Sequence, residues 1–185
     1  MSADIADFKI REVIKVTVLK INIRRAEEGD RDSFVECYLK AYRGLEGYSY
    51  TSRRDIRSYF NWLRKRDREG IFAAEVIMQK DFREVAGFLA CDSKWFSKYE
   101  GTVVCEIHEI FVKPEWRGIG IGEMLMRRAM EYAEEKGREI IELWVGERNY
   151  NAIKFYRKFG FKDKEKNGCW IRMVKRLENS ANRKC

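Results

Sequence analysis

Two hydrophobic patterns alternate along the chain and predict a layered α/β fold. Runs of mostly apolar, β-branched residues predict strands, whereas apolar residues three and four positions apart predict amphipathic helices. The predicted strands are 19–24, 71–78, 85–92, 102–112 and 140–145, with further strand residues at Phe161 and 169–175; the predicted helices are 31–42, 53–66, 121–136 and 150–159. This order places helices among strands and predicts one sheet of mixed direction.

The bulk composition predicts one globular domain. The chain has 185 residues and 37% charged residues, which suits a single well-buried core. No apolar run approaches the roughly 20 residues of a membrane helix, and the acidic start of the chain is unlike a signal peptide. We therefore expect a cytoplasmic protein with no membrane partner, divided into an extension (1–18), a domain (19–177) and a polar tail (178–185).

Charge and cysteine usage narrow the classes further. The net charge of +8 is spread along the chain without a dense block, so a nucleic-acid-binding module is the less favoured interpretation. The five cysteines lack C-x-x-C spacing and His108 is the one histidine, which argues against a zinc site and a disulfide framework. We expect no metal.

The segment 117–122 joins a predicted strand to a predicted helix and holds three glycines in five residues. Glycines let the backbone approach a ligand, and the first helical turn leaves its N–H groups without intrahelical partners. The segment therefore predicts a pyrophosphate-binding loop, although a plain flexible turn is the alternative. Glu123 and Met124 follow Gly122, so the lysine and hydroxyl of a P-loop are missing, and Glu123 replaces the third glycine of the dinucleotide fingerprint.

Two motifs occur in order, separated by a predicted helix and strand. The first is Arg117-x-x-Gly120-x-Gly122, and the second, N-x-x-A-x-x-x-Y-x-x-x-G-F, runs over 149–161. Together they resemble the signatures of the GNAT superfamily of acyl-CoA-dependent N-acetyltransferases, strongly over 105–161 and element by element over 19–177. The resemblance implies a GNAT fold, with a central mixed, mostly antiparallel sheet and helices on both faces, and acetyl-CoA as co-substrate.

The resemblance also implies how acetyl-CoA is held. The strand ending at Val112 would pair with the pantetheine arm, and the loop amides would hold the pyrophosphate with help from the helix dipole. Asn149 would lie beside the cofactor, and it also fits a helix N-cap. The implied cofactor-binding residues are Ile110, Phe111, Val112, Arg117, Gly118, Ile119, Gly120, Ile121, Gly122, Asn149, Ala152 and Tyr156.

Transfer of an acetyl group to an amine needs a base for the amine and an acid for the leaving thiolate. Tyr156 matches the tyrosine of the second motif and is the candidate acid; its alternative is a core aromatic. Glu106 is the first candidate base, Glu109 is its competitor, and a water chain is a third possibility. Even spacing predicts Glu106 and His108 on one strand face with Ile110 and Val112, and Glu109 on the opposite face.

The acceptor is predicted to bind between the helical segment 31–66 and the strands around 95–110. Aromatic residues there would line a peptide or amine site, or serve packing alone: Tyr48, Tyr50, Tyr59, Trp95, Phe96 and Tyr99. The favoured function is transfer of acetyl from acetyl-CoA to a protein N-terminus, a lysine or a small amine. A CoA-binding regulatory protein without turnover is an alternative, and the family resemblance makes a homodimer possible.

Overall fold

The computed structural model describes residues 18–78 and 82–178. The predicted order of elements is confirmed. The strands are β1 (Val18–Arg25), β2 (Ile71–Met78), β3 (Arg83–Ser97), β4 (Thr102–Val112), β5 (Ile140–Gly146), β6 (Lys162–Asn167) and β7 (Trp170–Arg176). The helices are α1 (Arg31–Ala41), α2 (Arg53–Arg66), α3 (Ile121–Glu135) and α4 (Tyr150–Lys158). Nearly all of the predicted extension and tail, 1–17 and 179–185, lies outside the described residues, so the domain boundaries stay a prediction.

Within the described residues, the seven strands form one sheet in the order β1-β2-β3-β4-β5-β7-β6. Neighbouring strands are antiparallel except β4 and β5, which are parallel. The sheet is therefore mixed and mostly antiparallel, as predicted.

Helices cover both faces of the sheet and enclose two hydrophobic cores. On one face, Phe34 of α1 and Phe60 of α2 pack with Phe88 and Phe111. On the other face, α3 packs mainly on β3 and β4, α4 joins the same core, and Leu125 and Tyr132 are fully buried there. Apolar positions at helical spacing put one stripe of each helix against the sheet.

β3 is longer than the predicted strand 85–92, because polar residues near its end are buried and paired. Asp92 accepts a hydrogen bond from Arg66, and the backbone N–H and hydroxyl of Ser93 donate to Asp67 at 2.9 and 2.6 Å. A hydrophobicity pattern does not show such pairs. Residues 79–81 of the predicted hairpin loop lie outside the described residues.

A bulge in β4 overturns one predicted face assignment. Ala90 pairs with Glu109 but Cys91 pairs with Ile107, so β4 advances two residues where β3 advances one. The extra residue, His108, shifts the alternation of side chains. Glu106, His108 and Glu109 therefore share one side of the sheet. Ile110 and Val112 pack on the opposite side, against the α3 core.

β4 and β5 separate beyond a short contact. Their parallel pairing covers only Cys105–Ile107 with Ile141–Leu143. Beyond it, the edge of β4 at 110–112 faces a cavity instead of a strand. No helix of the described residues has the length and apolar character needed to cross a membrane.

Candidate active site

Two cavities lie against successive parts of β4. The loop cavity, about 550 Å³, is lined by residues 110–112, the glycine loop and the start of α4. The aromatic cavity, about 540 Å³, is lined by residues 106–109 and by aromatic side chains from other elements. Tyr42 lines the loop cavity and donates a hydrogen bond of 2.6 Å to Glu109, which lines the aromatic cavity. The Tyr42–Glu109 contact therefore lies between the two cavities.

The glycine loop has the backbone that a close ligand contact requires. Gly118 and Gly120 have φ of 81° and 92°, in the left-handed region that favours glycine. A Cβ on Gly120 would meet nothing within 4 Å, so the space beside it is open. In α3, the N–H of Met124 bonds the carbonyl of Gly120, and the amides before it are left without intrahelical acceptors. This geometry fits the pyrophosphate of CoA.

The side chain of Arg117 holds the loop in place. Its Nε donates to the carbonyl of Val112 at 3.0 Å, and its guanidinium also donates to the carbonyl of Ala41 at 2.9 Å. Burial lowers the pKa of Arg117. Because both contacts go to backbone carbonyls, the side chain ties the loop to the ends of β4 and α1.

Most predicted cofactor-binding residues line the loop cavity. Ile119 and Ile121 do not line it, since Ile121 is buried in the α3 core and Ile119 packs against that core. Their backbone can contribute to the loop, but their side chains anchor it. The sequence interpretation missed further lining residues: Ala41, Tyr42, Leu45, Trp116, Glu123, Asn151 and Phe155. Those from α1 and the segment after it carry no local signal, because they reach the cavity through tertiary packing.

Asn149 and Tyr156 are brought together by α4. Asn149 is the N-cap, and its side chain accepts a hydrogen bond from the N–H of Ala152 at 3.3 Å, while it also lines the loop cavity. Tyr156 is 8% exposed and lines the same cavity. Burial, with a smaller effect of Glu109, raises the pKa of Tyr156, so its phenol keeps its proton at neutral pH.

The aromatic cavity combines some predicted aromatics with others that were not predicted. Tyr48, Tyr50 and Tyr59 line it, but Trp95, Phe96 and Tyr99 do not. Trp144 of β5 and Trp170 of β7 line it instead, because the sheet order brings these strands beside β4. The ring of Tyr48 lies 5.3 Å from that of Trp170 and so close to Gly146 that a Cβ there would come within 2.6 Å.

Glu109 is a buried carboxyl with tyrosine donors. It is 7% exposed, and Tyr42 donates to its Oε2 at 2.6 Å. Burial raises the pKa of Glu109 to about 7, although hydrogen bonds from Tyr42 and Tyr59 lower it. A carboxyl with this pKa is ionised in a large fraction of molecules at neutral pH and can accept a proton.

Glu106 has a different environment. Burial raises its pKa well above the ordinary value, and neighbouring Glu142 raises it further. Glu142 itself is bound by Ser97, whose hydroxyl donates at 2.8 Å, and by the buried Arg172. Glu106 therefore holds its proton more tightly than an exposed glutamate does.

His108 sits between two tryptophans. Its ring centroid lies 5.0 Å from that of Trp62 and 5.3 Å from that of Trp95. Its Nε2 lies 3.7 Å from Asp92, whose pKa is lowered to about 2; burial opposes this shift, and contacts with His108, the Lys94 amide and Arg66 produce it. His108 thus forms one wall of the aromatic cavity.

Comparison with known proteins agrees with this geometry. A sequence profile described as the acetyltransferase (GNAT) family matches residues 31–161. The chain therefore belongs to this family, whose members are acyl-CoA-dependent N-acetyltransferases, and the resemblance inferred from the two motifs is confirmed.

Two archaeal relatives cover most of the chain. An uncharacterized N-acetyltransferase of Archaeoglobus fulgidus is 52% identical over 136 residues, which are 74% of this chain and 89% of the relative. An uncharacterized N-acetyltransferase of Methanocaldococcus jannaschii is 49% identical over 155 residues, which are 84% of this chain and 66% of the relative. The chain thus spans about two thirds of the M. jannaschii relative.

Solved structures show the same fold. The crystal structure of PH1933 from Pyrococcus horikoshii matches with a TM-score of 0.75 and 37% identity, covering 86% of this chain and 99% of that one. A PaiA N-acetyltransferase from Thermoplasma acidophilum, solved in complex with coenzyme A, matches with a TM-score of 0.63 and 20% identity, covering 86% and 100%. At that identity the second likeness concerns the fold alone.

Proposed function

We propose that the chain transfers the acetyl group of acetyl-CoA to a primary amine by direct attack. The observation that carries the proposal is the contact between Tyr42, which lines the loop cavity, and Glu109, which lines the aromatic cavity. A ligand in the loop cavity and a ligand in the aromatic cavity would therefore both lie against this part of β4.

Each cavity then has a chemical role. In the loop cavity, the amides of 118–123 hold the pyrophosphate, and the open edge of β4 at 110–112 pairs with the pantetheine arm. Acetyl-CoA supplies an activated acetyl group as a thioester. A backbone N–H of β4 near 110–112 stabilises the carbonyl oxygen as it gains negative charge.

Two side chains move the protons. Glu109, with a pKa of about 7, takes a proton from the amine. Tyr156 keeps its own proton at neutral pH and donates it to the thiolate that leaves. Glu106, the first candidate from the sequence, is less suited to be the base because burial and Glu142 raise its pKa well above the ordinary value.

Calorimetry with acetyl-CoA, followed by a free-thiol release assay over a panel of amines, tests the proposal. We expect micromolar binding of acetyl-CoA and thiol release that depends on the amine. Absence of acetyl-CoA binding contradicts the proposal, and binding without turnover on any amine favours the regulatory alternative. Nucleic-acid binding that weakens steeply with salt and ignores CoA favours the nucleic-acid alternative.

A further inference from the structure

Among the described residues, the lining of the aromatic cavity holds none of the basic side chains that give the protein its positive net charge. The sequence contains 38 Lys and Arg residues, yet none lines this cavity among the described residues. Its lining includes two carboxyl groups, Glu106 and Glu109, and six aromatic residues: Tyr38, Tyr48, Tyr50, Tyr59, Trp144 and Trp170. Aromatic faces and carboxylates both attract cations, so the lining favours a cationic ligand.

Glu106 has an unsatisfied oxygen at this cavity. The residue is 4% exposed, and in the described part of the chain its Oε2 has no hydrogen-bond partner. A buried polar atom without a partner is costly unless a ligand or water satisfies it. A ligand donor beside this oxygen would satisfy it.

The neighbours of Glu106 cannot supply a cation. The nearest one, Arg172, already donates to Glu142, to Glu165 and, at 2.9 Å, to Glu100. The other groups that influence Glu106 are Glu142 of β5, which disfavours its charge, and Cys105 of β4. Its partner across the β3–β4 pair, Asp92, is engaged by Arg66. Apart from the imidazole of His108, the described lining of this cavity offers no basic side chain, so a ligand ammonium would bring a positive charge that no lysine or arginine supplies there.

The two carboxyl groups lie at different distances from the loop cavity. Glu109 is adjacent to the segment 110–112 that lines the loop cavity, and Glu106 lies three residues further along β4. Three strand residues span about 10 Å, and the bulge at His108 shortens this distance. One flexible aliphatic chain with an amine at each end can therefore reach both groups.

We propose that the acceptor is a short aliphatic diamine, whose reacting amine meets Glu109 and whose second ammonium pairs with Glu106. The proposal rests on the acetyltransferase function proposed above. In the complex Glu106 is a carboxylate paired with that ammonium, and a proton that it held before binding leaves to solvent. Glu106 is then a residue that determines specificity, and it takes no part in the chemical step.

Steady-state kinetics with alkyl diamines and alkyl monoamines of equal length test the proposal. We expect the wild-type protein to prefer the diamine in kcat/KM by about tenfold to a hundredfold, the effect of one hydrogen bond to a charged group. In E106Q, which keeps the shape of the neutral side chain, the preference should fall to within about twofold by the same reasoning. The matched control is E131Q on α3, an exposed carboxylate whose loss should leave the preference intact.

Calorimetry adds a readout that a merely structural role would not change. In buffers of different ionisation enthalpy at neutral pH, diamine binding should release more protons than monoamine binding, and E106Q should abolish the difference. Equal kcat/KM for diamines and monoamines in the wild type, or better turnover of a peptide amine, overturns the diamine proposal. An undiminished preference in a folded E106Q also overturns it. None of these outcomes contradicts the proposed acetyltransferase function, which fails only if no amine is acetylated.

Discussion

Two glutamates on the same strand differ because of the groups around them. Glu109 accepts hydrogen bonds from tyrosine hydroxyls. These bonds stabilise its carboxylate and offset part of the rise in pKa that burial causes. Glu106 instead faces the carboxyl of Glu142, which destabilises a second negative charge. Local chemistry thus assigns the base role to Glu109 in the proposed mechanism.

The pH dependence of activity should report Glu109. A base works in its ionised form, so kcat/KM should rise with pH through about 7. E109Q should lose about 10²- to 10⁴-fold in turnover together with this rise. Y42F, which removes a donor to the carboxylate, should move the rise to higher pH. An unchanged profile in E109Q contradicts the assignment.

The titration of Glu109 should also make the free energy of unfolding depend on pH, in the direction that its raised pKa determines. The folded pKa of Glu109, about 7, lies above its ordinary value of 4.5, so the folded state holds its proton more tightly. Its contribution to stability is complete below 4.5 and is lost as pH rises through about 7. E109Q should therefore gain stability relative to the wild type between pH 5 and pH 8, measured by urea unfolding. A difference independent of pH would argue against a raised pKa.

A substitution at Tyr156 tests whether its hydroxyl donates the proton to the leaving thiolate. Y156F keeps the ring that packs against Phe155 and Phe161 and removes only the hydroxyl. We expect turnover to fall by roughly 10²-fold or more, with acetyl-CoA affinity barely changed. Turnover at the wild-type level would remove Tyr156 from the mechanism.

The junction between β4 and α3 depends on backbone geometry more than on side chains. Gly118 and Gly120 take positive φ, and Arg117 fixes the loop through carbonyls of β4 and α1. The N-terminus of α3 is thereby presented to the open space beside Gly120. A β-carbon in that space would meet the ligand and not the protein.

Two alanine substitutions separate strain from ligand contact. Gly120 and Gly137 have φ of 92° and 65°, and a Cβ at either meets no protein atom within 4 Å. G120A and G137A should each lose about 1 kcal/mol of stability, because L-residues resist this conformation. Only G120A should weaken acetyl-CoA binding in calorimetry. Equal acetyl-CoA affinity in the two variants would refute the loop as the pyrophosphate site.

Across the whole molecule, the sheet has a narrow connection between its two parts. β1–β4 and β5–β7 are joined by the short β4–β5 contact. Arg172 of β7 crosses it by binding Glu142 on β5 and Glu100 in the turn between β3 and β4. The same network lies behind Glu106 and the aromatic cavity.

Arg172 should therefore be important for global stability. R172M leaves buried carboxylates without their cation, and we expect a loss of about 3–5 kcal/mol in denaturant unfolding. R176M is the control: Arg176 also binds Glu100, but its side chain is 70% exposed, so the loss should stay below about 1 kcal/mol. Similar losses in the two variants would show that the buried network does not hold the sheet together.

Local signals in the sequence were sufficient to predict the helices and strands and the glycine-loop half of the candidate site. α2, β2 and β4 have the predicted bounds because periodicity and capping are local properties. The glycine loop and the second motif, with Asn149 and Tyr156, are likewise contiguous in the chain. These stretches alone determined the family and the fold class, and they predict the position of the CoA-binding segment.

Only the tertiary structure decided the other half of the candidate site, the aromatic cavity. The bulge in β4 depends on pairing with β3, and it put Glu106 and Glu109 on the same side of the sheet, contrary to their spacing. Trp144 and Trp170 joined the aromatic cavity because β5 and β7 follow β4 in the sheet. Strand pairing and burial depend on contacts between distant parts of the chain, so the environment of each glutamate and the aromatic lining of the cavity cannot be read from local pattern.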